Sequence, residues 1–260
     1  MNHLTKITVL LSITQQTFSA TVRPGTTSAY HPTGDINITR PIQSEKDDLL
    51  FLFLSRTDEA LPVQLNGWKP VASCLKKHNN VKSCTTIDKC GLFMWKGYCY
   101  GGPDLGTVVF FRKVVDDEPS YYHMNITAFY GRPAWAILTA VKNADITSEN
   151  PIRSVATSSC DLSSKSIFPS VYGKTDDVLL LSMVFDDHAS IQEFGAPIGT
   201  KMESYVSGHD EAGFLYSRKL TSEGETGVRV TVGPGSEYCK DALISLVVRR
   251  RIKTVRRRGV

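Results

Sequence analysis

The chain has 260 residues, of which 41% are hydrophobic and 22% are charged, as in an ordinary globular protein. It is long enough for one large domain or two small ones, each with its own core. The net charge is only +4, and seven of the 30 basic residues lie in the C-terminal segment. The rest of the chain is slightly acidic, which excludes a protein-wide basic surface for nucleic acid.

Residues 1–20 allow two interpretations. A short polar start, the apolar stretch Ile7–Ile13 and the small residues Ser19 and Ala20 have the outline of a signal peptide. The apolar stretch is barely long enough and contains Thr and Ser, so it equally fits a first β-strand. The strongest apolar run elsewhere, Val178–Phe185, is too short to cross a bilayer, and we expect no membrane span.

Two segments of the chain open with a pair of aspartates and continue as a long apolar run. They are Lys46–Arg56 and Thr175–Phe185. Leu49–Leu54 lacks alternation of apolar and polar residues, which is typical of a central strand buried on both faces. Each segment therefore predicts a turn followed by a buried strand.

Three later pairs of segments match in the same order. The first pair is an aromatic strand closing on Arg-Lys, the second alternates apolar and polar residues, and the third is rich in Ala and Leu. The pairs are Val109–Val114 with Leu215–Leu220, Tyr122–Thr127 with Gly227–Val232, and Ala136–Val141 with Ala242–Val247. The sequence thus predicts an all-β protein with two related β-sandwich repeats, jelly-roll or Ig-like, packed as one unit. We name residues 21–150 repeat 1 and residues 151–248 repeat 2.

The two opening segments are farther apart along the chain than the two members of each later pair. Repeat 1 therefore contains an insertion between its opening strand and its aromatic strand. It spans about residues 74–101 and holds four of the six cysteines. Two disulfides, free buried thiols and a zinc site are the alternatives, and the spacing lacks the close Cys pairs typical of structural zinc. Cys160 and Cys239 in repeat 2 could pair with each other. The candidate disulfide cysteines are Cys74, Cys84, Cys90, Cys99, Cys160 and Cys239.

Aromatic residues crowd the same insertion. Exposed aromatic side chains on a loop form a stacking surface for sugars or protein partners. The alternative is that they form the small core that such a loop needs. The candidate binding residues are Phe93, Trp95, Tyr98 and Tyr100 in the insertion, with Trp68 in the preceding Gly-Trp turn.

The C-terminal segment, residues 249–260, is a basic tail. It fits either a solvated, flexible end or an interaction tail for phosphates, anionic polysaccharide or an acidic partner. Nucleic acid is expected as a partner only through this tail. Its basic residues are Arg249, Arg250, Arg251, Lys253, Arg256, Arg257 and Arg258.

The order of these features resembles the duplicated β-sandwich modules of bacteriophage virion proteins, particularly tail and fibre-associated ones, and of some secreted bacterial proteins. The resemblance covers most of residues 20–248 and implies a β-sandwich fold and a role in the particle. The insertion and the basic tail lie outside the shared pattern. The residues that carry it are Asp47-Asp48, Gly67-Trp68, Arg112-Lys113, Glu118-Pro119-Ser120-Tyr121 and Ala196-Pro197-Ile198-Gly199.

No catalytic motif is present, and the acidic clusters Asp116–Glu118 and Asp186–His188 fit solvated turns at strand ends. We therefore expect no enzyme, no cofactor and no metal. The leading hypothesis is a non-enzymatic virion structural protein of a bacteriophage tail or surface, involved in assembly or host attachment. Its partners would be other virion proteins, a host-surface protein or a glycan, and it would form a homo-oligomer. The alternative is a secreted, extracellular, disulfide-bonded lectin or adhesin, and a glycan hydrolase is a weaker third hypothesis.

Overall fold

The computed structural model describes residues 13–57, 60–62, 64–77, 82–85, 93–95, 98–100, 103–126, 133–158, 167–186, 196–208, 211–229 and 241–256. Regular structure in these ranges consists of β-strands, which confirms the all-β class. No helix in the described ranges is long and apolar enough to cross a membrane.

In its described residues, repeat 1 contains twelve strands, and their pairing is antiparallel. They are β2 (Thr21–Val22), β3 (Thr27–His31), β4 (Asp35–Thr39), β5 (Leu49–Thr57), β6 (Ala60–Pro62), β7 (Lys69–Lys77), β8 (Lys82–Thr85), β9 (Phe93–Trp95), β10 (Tyr98–Tyr100), β11 (Pro103–Lys113), β12 (Tyr121–Asn125) and β13 (Ala134–Lys142).

The described part of repeat 2 contains seven strands, and two further described strands lie outside both repeats. The repeat 2 strands are β14 (Ile152–Ser158), β15 (Ile167–Gly173), β16 (Val178–Asp186), β17 (Lys201–Gly208), β18 (Glu211–Lys219), β19 (Gly224–Arg229) and β20 (Asp241–Val248). The two terminal strands are β1 (Ile13–Thr17) and β21 (Ile252–Arg256).

Each repeat is built around one large sheet with the same strand order. In repeat 1 the order is β2-β13-β5-β11-β7-β8, and β3 also pairs with β13. In repeat 2 the order is β14-β20-β16-β18-β17. Each repeat also has a two-stranded sheet, β4-β12 in one and β15-β19 in the other. The two repeats therefore share the order of their central strands and an accompanying small sheet, and the duplication itself stays a prediction.

The two large sheets pack face to face, and each small sheet covers the outer face of its own large sheet. The shared core between the large sheets includes Phe51 and Phe111 from repeat 1 and Leu180 and Leu246 from repeat 2. Each repeat also has a core of its own, which lies between its large sheet and its small sheet. The large sheets are therefore buried on both faces, which explains why β5 and β16 are apolar at most positions.

The last strand of repeat 1 matches the last strand of repeat 2, but the match is shifted by one residue from the one that the sequence suggested. The alignment matched Val141 with Val247, but Val141 pairs with the first residue of β5, and Val248 pairs with the first residue of β16. Consistently, Val141 and Val248 both lie in the shared core, whereas Val247 lies in the outer core of repeat 2. A shift of one residue in a strand exchanges its two faces, so this alignment was wrong.

Candidate functional site

The molecule has two unlike ends because the large sheets pack face to face with their corresponding strand ends together. At one end, Ala20 N–H donates to the Asp176 carbonyl and Arg249 N–H donates to the Pro151 carbonyl, joining the start, the middle and the end of the described chain. We call this the base end. At the opposite end, Trp135 of β13 lies against Gly213 of β18. We call it the far end, and the strands that flank the insertion, β7 and β11, end and begin there.

A buried arginine–aspartate pair occupies the base end of each repeat. Arg23 Nε donates to Asp48 Oδ2 at 2.5 Å, and Arg153 Nε donates to Asp177 Oδ2 at the same distance. The Asp48 side chain is 4% exposed, and that of Asp177 is 0% exposed. Each carboxylate also accepts a backbone N–H three residues earlier, so both are fully engaged in holding the turn.

The preceding aspartate of each turn adopts a left-handed backbone conformation. The φ angles are 71° at Asp47 and 68° at Asp176, a region that Asp tolerates better than most residues. Lys113 Nζ lies 2.7 Å from Asp47, and Lys219 Nζ lies 2.9 Å from Asp176. The double-aspartate motif is therefore the structural turn that the sequence predicted.

These contacts lower the pKa of both half-buried carboxyls. The hydrogen bond from Lys113 is the main cause of the lowered pKa of Asp47. The hydrogen bonds from Ser19 and then Lys219 lower the pKa of Asp176, and the charge of Arg250 adds to the effect. The ionised forms are thus stabilised in the fold.

The basic tail begins as an ordered part of the base end. Arg250 Nη1 lies 3.0 Å from Asp176 Oδ2, and the Arg250 N–H donates to Asp177 Oδ1 at 3.0 Å. Arg251 N–H donates to the Asn143 carbonyl at 2.7 Å. The acidic turn of repeat 2 therefore binds Arg250, so the start of the tail differs from the solvated, flexible end that one of the two interpretations predicted.

The tail then continues as a two-stranded ribbon with the N-terminal segment. β21 pairs antiparallel with β1, placing Lys253 opposite Gln16 and Arg256 opposite Ile13. The apolar stretch Ile7–Ile13, which the sequence assigned to a signal peptide or a first strand, lies outside the described ranges except for Ile13, so both interpretations stay predictions. Arg257 and Arg258 also lie outside them.

A cation–aromatic cluster closes the base end of repeat 1. The Arg112 guanidinium lies 5.5 Å from the Trp68 ring centroid and 5.6 Å from the Tyr122 ring centroid. Arg112 Nε lies 3.0 Å from Glu118 Oε1, and the Tyr122 hydroxyl donates to the same oxygen at 2.5 Å. Burial, and then the hydrogen bond to Glu118, raise the pKa of Tyr122.

Trp68 is only 8% exposed and packs edge-on against Tyr122. Its position differs from the exposed stacking surface that the sequence predicted, because Arg112 covers its ring. Sequence reasoning also missed Arg112 and treated Glu118 as a solvated turn residue, whereas Glu118 is buried and ion-paired. The recurrence of Arg-Lys at the end of both aromatic strands was the available signal.

A cleft of about 260 Å³ lies beside this cluster at the base end, between repeat 1 and the segment that leads into repeat 2. It is smaller than the roughly 300–1,000 Å³ typical of small-molecule sites, so it fits one side chain rather than a cofactor. Its lining includes Gly67, Lys69, Arg112, Lys113, Ile146 and Glu149. No motif in the sequence indicated this cleft, since its walls are distant along the chain.

The insertion is described by its backbone pairing. β9 and β10 form a three-stranded sheet with β6, and Tyr98 lies opposite Trp95 and Tyr100 opposite Phe93. Directly opposite residues share a face, as do residues two apart in a strand. The fold therefore brings all four predicted aromatic binding residues to one face of this sheet.

The predicted disulfide cysteines lie partly outside the described ranges. Cys90, Cys160 and Cys239 lie outside them, so the pairing of Cys160 with Cys239 stays a prediction. The backbones of Cys74, Cys84 and Cys99 are described, in β7, β8 and β10. Among the described residues, no group of three or more His, Cys, Asp or Glu side chains is placed to hold a metal ion.

Comparison with models of known families, with curated proteins and with solved structures gives no match for this chain. The functional argument therefore depends on the geometry of the two ends. The base end carries engaged charges and the paired terminal strands, and the far end leads into the aromatic insertion.

Proposed function

We propose that the chain is a non-enzymatic component of a bacteriophage virion, in the tail or at the particle surface, that contributes to assembly or host attachment. The polarity of the molecule is the observation that supports it. β1 and β21 pair with each other next to the base end, and the aromatic insertion follows the strands that finish at the far end. A particle protein mounted at one end and binding at the other needs this arrangement.

The charges of the described base end support a mounting role over a catalytic one. Asp48 and Asp177 are each bound to an arginine, and Glu118 is bound to Arg112. A buried carboxylate in such a pair is held in position by its arginine, so it serves the fold. The aromatic face of the insertion then supplies the contact with a host-surface protein or glycan.

The first experiment is quantitative mass spectrometry of purified particles of the phage that encodes the chain. We expect the protein to be enriched with the major structural proteins through density-gradient purification. Its absence from particles that contain the other tail and capsid proteins would overturn the proposal.

The second experiment tests which end binds. The double variant Trp95→Ala, Tyr98→Ala removes two opposite aromatic residues of the insertion, and binding of the purified protein to host cells should fall about tenfold or more. Ile198→Ala is the matched control, because Ile198 is 91% exposed in a turn at the base end of repeat 2. Binding that falls with the control and not with the double variant would place attachment at the base end.

A secreted, disulfide-bonded lectin or adhesin is the second candidate, and one observation favours it: Cys74 lies directly opposite Cys84 in β7 and β8. Export through a signal peptide ending near Ala20 would remove β1, the partner of β21. Sequencing of the mature N-terminus separates the candidates. A start near Ala20 or Thr21 supports export, whereas a start at Met1 or Asn2 supports the virion protein.

A further inference from the structure

The register of β7 and β8 brings two cysteines of the insertion together. The pairing is antiparallel and runs from Ser73 opposite Thr85 to Lys76 opposite Lys82, with Cys74 directly opposite Cys84. Directly opposite residues of an antiparallel pair have Cα atoms about 4.5–5.5 Å apart. That separation lies inside the range of about 4.4–6.8 Å that a disulfide spans.

We propose that Cys74 and Cys84 form a cross-strand disulfide that fastens β8 to the large sheet of repeat 1. The two thiols lose two protons and two electrons, and one S–S bond forms. A low-molecular-weight disulfide such as oxidised glutathione accepts both protons and both electrons, and is released as two thiols after exchange through a mixed disulfide.

The weakness of the pairing itself explains why a covalent link belongs at this position. β8 has four residues and is the outermost strand of its sheet. The register also places Lys76 opposite Lys82, and like charges at directly opposite positions destabilise a strand pair. A bond between Cys74 and Cys84, two positions along the strands from this lysine pair, would hold β8 in place despite the repulsion.

The location gives the link a role in joining the repeats. β7 contacts β14 and β20 of repeat 2, and β8 also contacts β14. The insertion begins in β7. A disulfide between β7 and β8 therefore holds this part of the insertion in place against the second repeat. The inference concerns the insertion alone and does not depend on the proposed function.

Tryptic peptide mapping without reduction tests the pairing directly. Lys76, Lys77, Lys82, Lys89 and Lys96 separate the four insertion cysteines, so each lies on a different peptide. The purified full chain is equilibrated in a buffer of reduced and oxidised glutathione, its free thiols are blocked with N-ethylmaleimide, and it is digested. We expect the peptide 57–76 linked to the peptide 83–89, and reduction should release both.

Two variants control the measurement. Cys160→Ser should leave the link between the two peptides unchanged, and Cys84→Ser should abolish it. If Cys84→Ser does not fold, the wild-type and Cys160→Ser maps still decide. Blocked thiols at both Cys74 and Cys84, or a link from either one to a different cysteine, would overturn the proposal.

Discussion

Arg153 Nε donates a hydrogen bond to the fully buried carboxylate of Asp177 at 2.5 Å. Arg23 makes the same bond to Asp48 in repeat 1. In both repeats the arginine lies in, or just after, the strand that pairs with the last strand of the repeat. The aspartate is the last residue of the turn that leads into the central strand. The pair thus ties the edge of each large sheet to its centre at the base end.

Removing Arg153 should destabilise the protein strongly. Arg153→Ala leaves the Asp177 carboxylate buried and without its guanidinium, which typically costs about 3–5 kcal/mol in the free energy of unfolding. Urea denaturation measures the loss. Lys46→Ala is the control, because Lys46 and Asp116 form an exposed pair whose loss should leave the free energy of unfolding nearly unchanged. Equal effects of the two variants would show that the buried pair is not a structural tie.

Trp68→Ala should lower stability because Trp68 fills the outer core of repeat 1. The expected loss is about 3–5 kcal/mol in the free energy of unfolding, as for other buried tryptophans replaced by alanine. Tyr121→Ala is the control, since the Tyr121 side chain is 62% exposed one position before Tyr122. A Trp68→Ala protein with wild-type stability and reduced host-cell binding would restore the binding role that the sequence predicted.

Acid should weaken the base end through Asp47 and Asp176. Their pKa values are lowered from the ordinary 3.8, so the folded state binds fewer protons than the unfolded state. Their stabilising contribution is therefore fully present above about pH 5 and is lost as pH falls through 3.8 to the lowered folded pKa values.

The double variant Asp47→Asn, Asp176→Asn measures this contribution, since Asn also tolerates the left-handed conformation at both positions. The difference in the free energy of unfolding between wild type and variant should shrink between about pH 6 and pH 3. A difference that is constant over this range would contradict the assignment.

Gly213→Ala should disturb the packing between the large sheets at the far end. A Cβ atom at Gly213 would lie 2.5 Å from Trp135 Nε1 and 2.8 Å from Trp135 Cδ1, so the indole must move. Trp135 belongs to the shared core, where such overpacking costs about 1–3 kcal/mol.

Adding Trp135→Phe tests whether this clash is the cause. The smaller ring makes room for the new methyl group, so the double variant should be more stable than the sum of the two single losses predicts. Thermal unfolding of the four proteins gives the coupling energy. Strict additivity would show that Trp135 and Gly213 do not compete for the same space.

Much of the architecture follows from local patterns in the sequence. The Asp47-Asp48 and Asp176-Asp177 turns and the apolar strands after them indicated the central strands, since a strand buried on both faces has no polar positions. The alignment of the last strands failed by one residue, because Ala136–Val141 is apolar at every position except one and both registers look alike.

The sequence by itself determined the all-β class, the opening turns of both repeats and the place of the insertion, because these depend on neighbouring residues and on periodicity. Only the tertiary structure decided that Arg112 covers Trp68, that Arg250 binds Asp176 and that Cys74 faces Cys84 across a strand pair. Such contacts depend on how strands from distant parts of the chain are ordered and registered in a sheet. Local propensity carries no information on that order, which is set by the burial of whole sheet faces against one another.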